Sequence, residues 1–190
     1  MIEVEVKFPL TNPESFLLAV TSLLHVTFGP EIQEHDQFYS HPNRDFAKTD
    51  ECLRIRSGSQ GVFLTYKGRK DKTKVKSREE LEFEIADETE ATDELAAKWS
   101  TFWTRLDFFP AATVTKSRRF AHVCLEGTPV TLTFDHIASL GFFCELEVVV
   151  EKREDVPPAR DLITRLARQL GLREPEERSY LELLTEKQEK

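Results

Sequence analysis

Cysteine, glycine and methionine are scarce in this chain of 190 residues, with three, seven and one copies. Three cysteines, Cys52, Cys124 and Cys144, cannot build a disulfide-rich scaffold, and they lack the close pairing that metal-binding cysteines show. Two of them lie inside apolar strand patterns, which reads these residues as small buried hydrophobes. No apolar run approaches the length of about 20 residues that a membrane-spanning helix needs. The chain starts directly in a strand-like pattern, with no basic-then-apolar leader, so a cytoplasmic protein with no membrane partner is expected. Positive charge is in deficit: 26 Lys and Arg against 34 Asp and Glu leave a net charge of -8. That balance argues against a nucleic-acid partner, which calls for a basic surface. Internal repeats and low-complexity tracts are absent.

What remains is enough for one folded unit. Fourteen Phe support a core, although hydrophobic residues make up only 39% and charged residues reach 32%. A single domain over 1–190 is expected, with C-terminal helices at about 157–187 belonging to it. MIEVEVKFPL alternates apolar and charged residues with the period of a half-buried strand. In TNPESFLLAVTSLLHV, Asn12 caps a helix and Pro13 suits its first turn. EIQEHDQFYSHP reads as a strand ending at Pro42, and RDFAKTD as a loop. ECLRIRS and VFLTYKG are strands joined by the hairpin signal SGSQG. SREELEFEIAD is another strand, and TDELAAKWSTFWTRL an amphipathic helix with Thr92 as its cap. Three long strands follow in AATVTKSRRFAHVCL, PVTLTFDHI and GFFCELEVVVEK. PARDLITRLARQLGL is a helix stopped by Gly171, and SYLELLTEK a last short one. About eight hairpin-connected strands with three or four helices imply an antiparallel barrel or strongly curled sheet with helices outside.

The side-chain parity of these strands carries more information. Glu3, Glu5 and Lys7 share one face of the first strand, with Ile2, Val4, Val6 and Phe8 on the other. Arg54 and Arg56 oppose Leu53 and Ile55. Lys67 shares a face with Thr65. Arg78, Glu80, Glu82 and Glu84 oppose Leu81, Phe83 and Ile85. Lys116 pairs with Arg118, Asp135 with Thr131 and Thr133, and Glu145 with Glu147. Nearly every strand therefore has one apolar and one charged face, and the charges sort by sign. If the sheet closes, the charged faces line a hydrated interior, unlike the apolar filling of ordinary small barrels. If it stays open, they meet water as cross-strand ion pairs. Convergent carboxylates with an all-oxygen shell suit Mg²⁺ or Mn²⁺, and His122 is the only histidine expected to point inward. Arg and Lys on other strands have the chemistry to hold phosphate oxygens. One segment runs against the acidic trend: KGRKDKTKVKSR, residues 67–78, has seven Lys or Arg in twelve. It reads either as a solvated loop or as a mobile basic flap that attracts a polyanion.

Glu3-x-Glu5-x-Lys7 at the N-terminus resembles the signature of the CYTH superfamily, the triphosphate tunnel metalloenzymes, which includes class IV adenylyl cyclases, thiamine triphosphatases and inorganic triphosphatases. Later stations appear in order: LRIR, LTYKG, SREELEFE, KSR, FDHIASLGFFCELE and a closing ERSYLELL with Arg178, Ser179 and Tyr180. The resemblance covers nearly the whole chain. It implies an α+β fold, an eight-stranded antiparallel closed β-barrel (tunnel) with helices packed outside. It implies metal ligation by Glu3, Glu5, Glu145 and Glu147, with Mg²⁺ or Mn²⁺ as cofactor. Triphosphate binding falls to Lys7, Arg54, Arg56, Lys67, Arg78, Lys116 and Arg118, and catalytic roles to Lys7, Glu80, Glu82 and Asp135. One departure stands at the second strand, where relatives often read Asp-x-Tyr and this chain has Asp36-Gln37-Phe38. Tyr39 faces the other way and does not replace the lost hydroxyl. The resemblance is greatest to class IV adenylate cyclase, which converts ATP to cyclic AMP and pyrophosphate. Inorganic tripolyphosphatase or thiamine triphosphatase is the alternative, and a non-catalytic nucleotide or polyphosphate binder a third reading. The implied partner is a nucleoside triphosphate or another inorganic or organic triphosphate. A homodimer is left open.

Overall fold

A computed structural model of the protein describes residues 1–71, 74–90 and 93–188. Its strands are β1 (Ile2–Leu10), β2 (Ile32–Ser40), β3 (Cys52–Gly58), β4 (Gly61–Lys67), β5 (Lys76–Asp87), β6 (Phe109–Leu125), β7 (Thr128–Ile137) and β8 (Gly141–Val150). They close into one antiparallel barrel in the order β1-β5-β4-β3-β2-β6-β7-β8. The helices α1 (Pro13–Leu24), α2 (Phe46–Thr49), α3 (Asp93–Arg105), α4 (Val156–Gln169) and α5 (Tyr180–Gln188) pack outside it. The expected α+β closed barrel is thus the fold, and the open-sheet alternative falls.

Local chemistry explains most element ends. Asn12 Oδ1 accepts a hydrogen bond from Ser15 N at 3.0 Å, which caps α1 behind Pro13. After α4 the chain turns left-handed at Gly171 (φ 75°), and Leu172 N donates to Ala167 O at 2.9 Å, closing the last helical carbonyls. The segment expected as a loop at RDFAKTD instead holds α2. Asp45 accepts from Lys48 N, and Asp50 takes the left-handed cap position at φ 58°. A four-residue helix gives no hydrophobic period to read, which is why its pattern passes for a loop. The expected cap Thr92 lies outside the described residues.

The chain clusters into two compact units. Unit 1 comprises Met1–Glu31, Asp71–Ser77 and Ser117–Lys190. Its core packs Val4, Val6 and Phe8 of β1, Leu132 of β7 and Leu146 and Val148 of β8 under α1 and α4, which contribute Phe16, Val20, Leu162, Ile163 and Leu166. Each such side chain, fully buried, contributes roughly 1.5–3 kcal/mol. Cys144 is buried in this core, whereas Cys124 is exposed. Cys124 is in phase with Lys116 and Arg118 on β6 and so lies on the polar face, a correction to its reading as a buried hydrophobe. Unit 2 comprises Ile32–Lys70 and Arg78–Lys116. Its smaller core joins Tyr39, Ile55, Val62, Ala86 and Trp103, with Tyr39 and Trp103 edge-to-face at 4.9 Å. Tyr39 does face the core, away from Asp36. Gly58 closes the approach of β3 to β2: a Cβ there would sit 2.2 Å from Gln33 O.

Candidate active site: two charged sheet faces

In unit 1 the face turned away from α1 and α4 is built by β1, β8, β7 and the second half of β6. Across β1 and β8, Glu5 lies opposite Glu147 and Lys7 opposite Glu145. Across β8 and β7, Glu147 faces Thr131 and Glu145 faces Thr133. Arg118 of β6 faces Asp135 of β7. Glu3, Lys7, Arg118, Thr133 and Asp135 are buried. Arg118 Nε donates to Asp135 Oδ1 at 2.7 Å, and its Nη2 donates both to Asp135 Oδ2 and, at 2.6 Å, to Glu145. Tyr180, the first residue of α5, donates its hydroxyl to Asp135 Oδ2 at 2.8 Å. Burial, reinforced by Asp135 and Glu145, raises the phenol far above its ordinary pKa, so it stays a donor. The Tyr180 ring lies under Lys7 Nζ at 4.1 Å. Burial lowers Lys7 to about 8, partly opposed by Glu145 and Glu5.

Unit 2 presents Glu34 and Asp36 of β2, Arg54 and Arg56 of β3, Thr65 and Lys67 of β4, Glu80 and Glu82 of β5 and Lys116 of β6. Asp36 is the focus. Arg56 grips it with Nε at 2.7 Å and Nη2 at 2.9 Å, Lys116 Nζ donates at 3.0 Å and Arg54 Nη1 at 3.3 Å. Burial pushes the Asp36 carboxyl up, yet Arg54, Arg56 and Lys116 together outweigh it and hold it well below the usual carboxylate range. Glu34 lies 2.8 Å from Lys116 and 3.1 Å from Arg56. Lys67 pairs with Glu80 at 3.1 Å, and Thr65 donates to Glu82 at 2.7 Å. The buried Arg54 Nε has no hydrogen-bond partner among the described residues.

The structure thus gathers Glu3, Glu5, Lys7, Arg118, Asp135, Glu145 and Glu147 on the face of unit 1. It gathers Arg54, Arg56, Lys67, Glu80, Glu82 and Lys116 on that of unit 2. Arg78 is half-buried, close enough to Cys52 to depress its thiol pKa, though burial raises that thiol more. Sorting by sign is less clean than the sequence suggests. Carboxylates alternate with bases in unit 2 because a buried row of like charges is costly without counter-charge. Glu34 escaped the sequence reading, although it is in phase with Asp36 two residues on, the same parity signal used elsewhere. Lys76 falls in the segment expected as a solvated loop or a mobile flap. It is buried, and its Nζ donates to Glu177 O. The described part of that segment is pinned: Lys70 pairs with Asp50 at 3.2 Å, and Arg160 of α4 holds Asp71, Val75 O and Ser77. Lys72 and Thr73 lie outside the described residues.

A divalent cation can be tested against these side chains. The carboxylates of Glu3, Glu5, Glu145 and Glu147 are hard oxygen donors of the kind Mg²⁺ and Mn²⁺ take. Glu5 and Glu147 face each other across the β1–β8 ladder, a like-charge pair that a cation would stabilise. Among the described residues no three His, Cys, Asp or Glu side chains converge at metal-holding distance. The donor set fits in type, with the Glu5–Glu147 pair as its pre-arranged part.

A closed eight-stranded barrel with charged inward faces defines a class of protein, and the sequence falls within it. The CYTH domain pattern matches residues 1–180, and the chain belongs to the CYTH family. It is 28% identical over 181 residues to the adenylate cyclase CyaB of Aeromonas hydrophila, covering 94% of this chain and 86% of that one. Among solved structures it resembles a Pyrococcus horikoshii protein at 36% identity and a TM-score of 0.82, over 97% of this chain and 99% of that one. A Hippeastrum protein described as having a dominant triphosphatase activity shares the fold at 18% identity and a TM-score of 0.65, over 98% of this chain and 95% of that one.

Proposed function

We propose that this CYTH protein is a divalent-metal-dependent enzyme acting on a triphosphate, and that its reaction is the conversion of ATP to cyclic AMP and pyrophosphate. The observation that carries the reading is the focus at Asp36. Arg54, Arg56 and Lys116 converge on one buried anion, the arrangement that also grips phosphate oxygens. In this reading Asp36 and Glu34 hold the bases in place until phosphate oxygens share them. Lys67 extends the set within unit 2; Lys7 and Arg118 are the phosphate-binding candidates of the unit 1 face, taken by itself. Glu3, Glu5, Glu145 and Glu147 would hold Mg²⁺ or Mn²⁺, which when bound neutralises charge on the phosphorus under attack.

The step balances simply. The ribose 3′-oxygen bonds to the α-phosphorus as the bond from that phosphorus to the pyrophosphate oxygen breaks, and the hydroxyl proton is released. The positive side chains stabilise the charge that builds on the departing pyrophosphate. Asp135 was expected among the catalytic groups. Its oxygens are taken by Arg118 and Tyr180, which makes it an anchor for Arg118 in this account. The likeness to the Aeromonas cyclase supports the cyclase reading. A triphosphatase is the second reading, in which water attacks the terminal phosphorus. The groups described recognise phosphate and none of them reads a base, and the Hippeastrum protein shows that this fold can carry such an activity.

Product identification decides between them. The purified protein is incubated with Mg²⁺ or Mn²⁺ and, separately, with ATP, tripolyphosphate and thiamine triphosphate. Cyclic AMP with pyrophosphate is expected. Orthophosphate, released fastest from tripolyphosphate or thiamine triphosphate, would replace the cyclase with a triphosphatase. No turnover of any of the three would overturn the enzyme reading.

A further inference from the structure

The closing ERSY motif takes no part in the reaction outlined above, yet its tyrosine touches the machinery twice. Tyr180 is buried, and its ring packs edge-to-face on Phe143 at 5.2 Å. Its hydroxyl donates to Asp135 Oδ2, the carboxylate that fixes the Arg118 guanidinium through both Nε and Nη2. Its ring also sits 4.1 Å from Lys7 Nζ, and the backbone just before it, at Glu176, donates N–H to Lys7 O at 2.8 Å. One side chain at the start of α5 therefore reaches both bases of the unit 1 face.

We propose that Tyr180 is the positioning residue for Lys7 and Arg118, holding the two cations in the geometry that receives the triphosphate. The proposal rests on the reading that these two bases bind phosphate. Its physical basis is an exchange of partners. Arg118 Nη2 is shared between Asp135 and Glu145. When a polyphosphate draws on Arg118, the guanidinium must stay seated while its contact with Glu145 loosens. A carboxylate held by one arginine alone would swing with it. Asp135 is completely buried and takes a further bond from a phenol locked by Phe143, so it cannot follow. Tyr180 touches neither substrate nor metal in this scheme and acts through Asp135 and Lys7.

Two variants separate its contacts. Tyr180→Phe keeps the ring over Lys7 and on Phe143 and removes only the bond to Asp135. Tyr180→Leu removes the ring contacts as well. Measured by calorimetry with tripolyphosphate and by KM with ATP, Tyr180→Phe is expected to weaken binding by about 5- to 10-fold, close to the factor that one charge-assisted hydrogen bond governs. The kcat should fall less than KM rises, and Tyr180→Leu should weaken binding further. The decisive arm is a double-mutant cycle. In an Arg118→Ala background, Tyr180→Phe should have almost no additional effect on affinity, because the group it positions is gone. A merely structural tyrosine would lower affinity equally in both backgrounds, and that result would overturn the proposal. So would a folded Tyr180→Phe protein with wild-type KM and kcat. If the wild-type protein itself binds no triphosphate, the proposed function fails first, and that outcome is read from the parent alone.

Discussion

The two charged faces solve the same problem by different means. Unit 2 collects its charge around one carboxylate, Asp36, which receives Arg54, Arg56 and Lys116, and with Glu34, Lys67, Glu80 and Glu82 the face sets four bases against four carboxylates. Unit 1 sets carboxylate against carboxylate at Glu5 and Glu147 and places its two cations beside them, steadied from the chain's last helix. A self-neutral cluster stands on its own and yields its bases when a stronger anion arrives. A like-charge pair gains most from a cation. In the proposed reading both faces offer bases to phosphate and only unit 1 adds a metal site, a difference that follows from how each face is balanced more than from the sign of single residues.

The comparison can be broken most severely at Glu5. Glu5→Gln should reduce metal-dependent kcat/KM by at least about a thousandfold while the circular dichroism spectrum stays unchanged. Its melting temperature should change little, since relief of the like-charge pair with Glu147 is offset by the lost attraction to Lys7. A folded variant with retained turnover would remove the metal assignment.

Asp36 comes next. Asp36→Asn strands three bases without their shared anion and should lower stability at pH 7 by about 3 kcal/mol in urea unfolding. The sign with pH follows from the depressed carboxyl. The ionised Asp36 stabilises the fold fully above the ordinary carboxylate range, and that contribution is lost as pH falls through the lower folded value. The gap between wild type and Asp36→Asn should therefore close in acid, below about pH 4. Added tripolyphosphate should raise the variant's unfolding midpoint more than the wild type's. An equal rise would separate Asp36 from the phosphate site.

Arg56→Ala sharpens the contrast more gently. Affinity for tripolyphosphate should fall by about tenfold, or 1.4 kcal/mol. Unchanged binding would show that this wall does not receive the substrate. The smallest effect is expected at the trio of exposed Arg178, exposed Glu186 and half-buried Glu176. Hydrogen bonds from Arg178 hold Glu176 down to about 2. Arg178→Ala should return that titration toward ordinary values by NMR, with little stability lost, as befits a solvent-screened pair.

Much of this is legible in the sequence. Strand parity alone assigned Glu3, Glu5 and Lys7 to one face and Val4, Val6 and Phe8 to the other, because a side-chain period of two leaves no freedom once one face is buried. The eight strands and their closure into a barrel follow from hairpin turns and the family resemblance together; the strand order does not. What escaped the sequence has identifiable causes. Glu34 sits at the start of its strand, where the apolar alternation that flags parity is weak. α2 is too short to show a helical period. The clasp of Arg160 on Asp71, Val75 and Ser77 joins residues more than eighty positions apart, and no local pattern encodes it. The sharing of Asp36 among three bases is likewise a product of register, in which Asp36 lies opposite Arg56.

The central claim is the division of labour between the faces, and calorimetry tests it most directly on two variants. Mn²⁺ alone and metal-free tripolyphosphate alone are titrated into Glu5→Gln and Arg56→Ala. The account predicts that Glu5→Gln loses Mn²⁺ binding while its tripolyphosphate affinity stays within about twofold of wild type. Arg56→Ala should keep Mn²⁺ binding and lose tripolyphosphate affinity. The reverse pattern, or equal losses of both ligands in both variants, would contradict it.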